Sequence, residues 1–227
     1  MAQGRPPRYT VRRRRANILI DARLEEPDWL ATEPLRIDQF LDGVPPQRRN
    51  VRTTVRLLWD DWNLYLGYHS EDPRIEARCT RHNDMVWEDT CVEFFVSPEA
   101  DRPENYFTWE INCCGVTLNK CMADFWEHDP AAWRPADAIA TSVPGPTKQV
   151  AAEDSEWVCE VAIPFSNFAL SPVALPPAAG DIWRANFQQC AGPGSHLATW
   201  SPLPAGCKSF HTPASFGELV FSDEPAG

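Results

Sequence analysis

Between residues 51 and 72 the chain carries two β-rich runs, VRTTVRLLWD and NLYLGYHSED, joined by the short polar and aromatic turn DDWN. Side chains alternate faces along a strand, so this arrangement predicts a hairpin. TCVEFFVSP (90–98) predicts another strand, and NYFTWEINCCGVTLNKC (105–121) a further pair divided at Gly115. AIATSV, EWVCEVAIPF, IWRANFQQC and FGELVF complete the set. VPGPT, LSPVALPPAAGD, AGPGS and PLPAG fall between strands as turns and loops. Only EEPDWLA and IPFSNF have the pattern of short helical turns. Many strands, few short helices and 22 prolines predict an all-β fold, an antiparallel β-sandwich or jelly roll. With no internal repeat and no dividing linker, one domain is expected over 16–222. A flexible basic segment (1–15) precedes it and a tail (223–227) follows.

The stretch NDMVWEDTCVEFFVSP breaks the simple pattern by placing Glu93 inside an apolar run just after Trp87. By alternation, Val92, Phe94 and Val96 share one face, and Cys91, Glu93 and Phe95 the other. In FTWEINC, Phe107, Trp109, Ile111 and Cys113 oppose Thr108, Glu110, Asn112 and Cys114. If the apolar faces form the core, the remaining face gathers Glu93, Glu110 and Asn112. Such a face is either solvated or partly covered. Cys91, Phe95 and Cys114 among the acids favour cover, and covered carboxylates require partners. Trp87 lies just upstream, with Arg81 and Asp84 in the same approach loop. A flat aromatic beside carboxylate and amide groups suits a polyhydroxylated ring, whose CH groups lie on the aromatic while its hydroxyls bond to the polar groups.

The order NILIDARLEEPDW, VRLLWDDWNLYLGYHSEDP, VWEDTCVEFFVSP, FTWEINCCG, WVCEVAIPF, IWRANFQQC and WSP…FHTPASFGELVF resembles the family 9 carbohydrate-binding module over about residues 17–222. The resemblance implies a β-sandwich related to the DOMON fold and a non-catalytic sugar site in which a terminal ring lies between two aromatics. By position, Trp87 resembles one jaw and Phe210 stands where the modules carry a second tryptophan. Glu93 and Asn112 match hydroxyl-binding groups, and Glu110 replaces an arginine. Trp200 is a candidate for the rim and His211 for a further hydrogen bond. The resemblance also implies structural calcium, with no ligand set assigned, and a saccharide or small polyol as partner.

Charge and cysteine usage narrow the alternatives. A net charge of -11 opposes general nucleic-acid binding, which needs a basic footprint. The run Arg12–Arg15 reads as a solvated edge strand or tail, with a nucleic-acid or acidic-lipid tether as the alternative. No apolar signal region and no membrane span are read, and the eight cysteines suggest a reduced, cytoplasmic protein. Without C-x-x-C or a histidine at zinc-site spacing, structural zinc is not expected. Glu93 and Glu110 leave a glycoside hydrolase open as an alternative. Haem b binding is another, through Met85, Met122, His82 or His211. Trp59, Trp109, Trp157 and Trp183 read as core; Trp126 and Trp133 are either a packed loop cluster or additional binding surface.

Overall fold

The computed structural model describes residues 5–122, 133–150, 155–192 and 196–227. Its strands begin with β1 (Arg8–Arg13), β2 (Leu35–Ile37), β3 (Gln39–Phe40), β4 (Arg52–Trp59) and β5 (Asn63–Glu71). β6 (Arg74–Ala77), β7 (Thr90–Ser97), β8 (Tyr106–Asn112), β9 (Thr117–Met122) and β10 (Ala138–Thr141) follow. β11 (Thr147–Val150), β12 (Glu156–Pro164), β13 (Ile182–Ala191), β14 (His196–Thr199) and β15 (Gly217–Pro225) complete them. The predicted helical turns are α1 (Pro27–Leu30) and a 3-10 turn at Phe165–Phe168.

The main sheet runs β10-β12-β5-β4-β1-β15-β13-β7-β8-β9, with β2 on β4, β14 on β13 and β3 on β14. β6 and β11 form a separate pair. The long sheet brings its two halves face to face. Tyr68 of β5 donates its hydroxyl to the Glu93 carbonyl on β7 at 3.3 Å, and its ring meets Phe187 of β13 edge-on at 6.4 Å. Between the halves lie the apolar faces of the strands, including Phe94 stacked on Phe187 at 5.0 Å. Trp59, Trp109, Trp157 and Trp183 are all buried there, as their strand positions predict. Trp133 belongs to the same core margin, its ring 5.2 Å from Trp109, whereas Trp126 lies outside the described residues.

The β4–β5 hairpin forms because Asp60 Oδ1 accepts from the backbone N–H groups of Trp62 and Asn63 at 2.7 and 2.8 Å. A side chain that satisfies the turn's own donors fixes where the chain reverses. Behind β5, Gly67 has a packing role. A Cβ there would come within 2.6 Å of a Leu24 methyl, so glycine gives that side chain room to lie against the strand.

The two ends depart from the frayed termini expected at 1–15 and 223–227. β1 runs parallel to β15 over Arg8–Arg13 and bridges β4 at Arg12 and Arg13. Val11 is fully buried. The arginine run is fixed by acids: Arg12 bonds Glu224, Arg13 bonds Asp61 and Asp223, Arg14 bonds Asp60, and Arg15 bonds Asp28. Exposed pairs of this kind contribute little individually, but Asp28 and Asp60 are buried and hold their arginines in place. At the other end Ala226 is buried, and its N–H donates to the Arg13 carbonyl at 3.0 Å.

Candidate functional site

β7 and β8 pair antiparallel with Glu93 directly opposite Glu110 and Phe94 opposite Trp109. The two predicted faces separate as alternation requires. Val92, Phe94, Val96, Phe107, Trp109 and Ile111 enter the core. Glu93, Phe95 and Glu110 line a cavity of about 200 Å³ on the other side, closed by Trp87, Lys120, His196, Phe210 and His211. Larger clefts of about 460 and 490 Å³ open beside Leu41–Pro45 and between Pro98–Arg102 and Pro172–Trp183. The first has no indole, and the second has acids beside Trp183, an indole buried in the core; the smaller cavity sets two buried carboxyl groups beside the half-buried indole of Trp87. His196 is shared with the first cleft and forms the wall between them.

Glu93 and Glu110 are each 2% exposed, and among the described residues their environment is short of donors. The Cys190 thiol donates to Glu93 Oε1 at 3.1 Å. Burial, then the neighbouring Glu110, pushes the Glu93 carboxyl well above its ordinary range. Burial also raises Glu110, to about 7, against the opposing pull of Lys120. Like charges directly opposite on a sheet repel, so the pair retains a proton near neutrality and offers both donor and acceptor character. Lys120 arrives from β9, where it sits opposite Thr108 and thus on the same face as Glu110.

The aromatic wall differs from an open clamp. Trp87 sits on a 3-10 turn (Val86–Glu88) and is half-buried. Its ring lies 6.1 Å from His196, which in turn lies 4.4 Å from Phe210. Phe210 is 1% exposed, so it is a wall of the cavity with little free face for stacking. The imidazole of His196 thus neighbours both expected jaws. His211 packs its ring on Phe95 at 4.8 Å, and its Nδ1 lies 2.8 Å from the Tyr106 hydroxyl. Burial, reinforced by Lys120, lowers the His211 pKa to about 4, so its imidazole is neutral at physiological pH.

Four expected residues do not join this cavity. Asn112, at the end of β8, spends its amide on structure. Its Nδ2 donates to Asp89 at 2.8 Å, and its Oδ1 accepts the N–H groups of Cys114 and Val116. The β8–β9 turn, with Gly115 at φ +81°, claims that side chain. Asp84 accepts the backbone N–H groups of Thr80 and Arg81 and shapes the approach loop, with Arg81 exposed beside it. Trp200 packs on Phe187 at 5.8 Å and over Gly217, where a Cβ would approach its ring to 2.5 Å. Of the haem candidates only His211 lines the cavity; Met85 is exposed, His82 contacts Thr117, and Met122 packs at the core margin.

Lys120 and His196 were missed from the sequence. Lys120 carried a usable signal, since its alternation in β9 places it on the polar face. His196 carried none, because β14 reaches the site only through its pairing with β13.

A profile of carbohydrate-binding family 9 matches residues 46–221. The chain belongs to that family. Solved structures with the same fold include a candidate carbohydrate-binding protein of Bacteroides uniformis, with TM-score 0.76 and 24% identity over 94% of this chain and 98% of that one. A family 9 module of Caldicellulosiruptor kristjanssonii in complex with glucose aligns with TM-score 0.66 and 15% identity, covering 97% of this chain and 98% of the module. A family 9 module of the same organism in complex with cellotriose gives TM-score 0.64 and 15% identity over 96% of this chain and 95% of that one. An extracellular protein of Arthroderma benhamiae is 28% identical over 197 residues, covering 80% of this chain and 84% of its own length.

Among the described residues the one group of metal-binding side chains, Glu93, Cys190 and His196, offers sulfur, nitrogen and a single carboxylate. That set does not fit the oxygen cage calcium takes. Also among the described residues, no helix is long and apolar enough to cross a membrane.

Proposed function

We propose that this cavity holds one ring of a saccharide or small polyol and leaves it chemically unchanged. The observation that carries this reading is the convergence of Trp87 with Glu93 and Glu110 on a cavity of about 200 Å³. That space is below the usual range for drug-sized ligands and suits a single ring. Trp87 supplies an apolar face, while the carboxyl pair and Lys120 bond to hydroxyls. Lys120 brings to the cavity a positive charge that Glu110, in the place of the family's arginine, does not. The Caldicellulosiruptor complexes with glucose and cellotriose support a sugar as the ligand class. His211 and the Phe210 wall complete the enclosure.

Binding without chemistry is supported by the placement of the acids. Hydrolysis uses carboxyl groups on two sides of a glycosidic bond, whereas Glu93 and Glu110 project from adjacent positions of one sheet face. The same reading keeps the protein in the cytoplasm, supported by eight free cysteines.

Tryptophan fluorescence and calorimetry with glucose and cellobiose test the reading. A Kd of roughly millimolar to micromolar, about −4 to −8 kcal/mol, is expected. Absence of both heat and fluorescence change at saturating millimolar sugar overturns it.

A further inference from the structure

Three side chains at the cavity floor have a chemistry that sugar binding does not use. The Glu93 carboxyl, the Cys190 thiol and the His196 ring each present a ligand atom, and these atoms all lie within 4.8 Å of one another. Glu93 and Cys190 are adjacent in space through the β7–β13 pairing, in which Cys190 is opposite Cys91 and Gln188 opposite Glu93. His196 comes from β14 on the far side of β13. Three strands therefore converge on one point. We propose that Glu93, Cys190 and His196 form a binding site for a borderline-soft divalent cation of the zinc class.

The donor set is the first argument. One thiolate, one imidazole and one carboxylate are the ligand types zinc takes in four-coordinate sites, with a fourth position left open. A thiolate and a carboxylate cancel the ion's two charges, as burial demands.

Second, one nitrogen of the His196 ring is engaged by the backbone. Its Nδ1 lies 3.3 Å from the Lys208 carbonyl. A carbonyl only accepts, so Nδ1 carries the proton and Nε2 keeps its lone pair. A metal-ligating histidine is characteristically held in this way by a backbone carbonyl.

The surroundings are the third argument. Glu93 is 2% exposed and faces Glu110 across the strand pair, and among the described residues Lys120 forms no ion pair with either. A bound cation adds to the positive charge that Lys120 brings to the cavity, at the acid itself. Glu93 and His196 both line the cavity while Cys190 is fully buried beneath it, which puts the open coordination position on the cavity side. Local spacing rules miss this site because residues 93, 190 and 196 come from separate strands.

The test uses the whole protein, stripped with a chelator, and zinc alone or cobalt(II) alone as the probe. One zinc per chain is expected, together with a near-ultraviolet thiolate-to-cobalt charge-transfer band. Both C190S and H196Q should weaken zinc binding by at least about tenfold to a hundredfold. C190S should abolish the cobalt band, while C207S, outside the cluster, leaves stoichiometry and band intact. Circular dichroism establishes that each variant folds, and if C190S does not, the affinity of H196Q decides. No retention of zinc by the wild type overturns the proposal, as does one-to-one binding of unchanged affinity in C190S and H196Q. No sugar is present in this titration, and sugar titrations run in chelator, so either reading can fail alone.

Discussion

Glu160 and Glu93 are both buried glutamates in the middle of strands, yet they are treated in opposite ways. Glu160 of β12 is fully buried and receives three N–H donors: Asp21 and Ala22 backbone at 3.0 and 2.9 Å, and Trp29 Nε1 at 2.8 Å. Its carboxyl clamps the 21–29 segment against the sheet. Glu93 of β7 is equally inaccessible to bulk water but receives one thiol and faces a second carboxyl. Burial alone therefore does not mark a site. Unused acceptor capacity next to a cavity does, because folding leaves those groups to be satisfied by something else.

The sharpest way to break this comparison is to remove each acid. E160A strands three donors, two of them buried, and is expected to lower the unfolding free energy by about 3–5 kcal/mol in denaturant titrations. E93Q keeps the shape and an acceptor for Cys190 while removing a like-charge opposition, so its stability should equal or exceed that of the wild type. Equal losses for both variants would erase the distinction.

Asp72 is an intermediate case: Oδ1 accepts the Arg74 N–H at 2.8 Å, while Oδ2 is buried without a partner. Burial raises its pKa from 3.8 to about 6, so between these values the folded state holds more protons than the unfolded one. Stability should fall as pH rises from about 4 to 6 and level off above. D72N should remove that slope and be more stable at neutral pH by on the order of 2–3 kcal/mol, read from denaturant midpoints across pH.

On the cavity side, W87A should leave stability nearly unchanged and weaken glucose binding by about 1 kcal/mol, roughly fivefold to tenfold, in calorimetry. The smallest effect expected is at His211. With its pKa lowered to about 4, the unfolded state takes up the proton first, so stability should decline as pH falls from 6.5 toward 4. Solvent limits that decline to about 1 kcal/mol, and H211N should flatten it in the same denaturant series.

The parts of the molecule that were readable in advance are those governed by local rules. Alternation in CVEFFV and FTWEIN correctly placed Phe94 and Trp109 inward and Glu93 with Glu110 on the other face. DDWN and Gly115 correctly marked two reversals. Asn112 ends β8 in register with Cys91, as parity expects, but it opens the following turn, so its amide is taken by Cys114, Val116 and Asp89. An asparagine three residues before a glycine is itself turn chemistry. β1, His196 and Cys190 took their places through pairings that no local pattern encodes, whereas Lys120 follows from alternation in the β8–β9 hairpin. The arginine run illustrates the point: its partners Asp28, Asp60, Asp61, Asp223 and Glu224 are scattered along the chain.

The parallel pairing of β1 with β15 sets a timetable for biosynthesis. Residues 8–13 have only a two-residue bridge to β4 until their main parallel partner, 217–225, emerges from the ribosome. Until then Val11 remains exposed and the two halves of the sheet lack the bridge between them. The closing contact joins Arg8–Arg13 to residues 218–225, a long-range pairing of the kind that folds slowly. Shortening either end should therefore disturb the centre of the sheet, and fusion partners attached there would crowd the last step of its assembly.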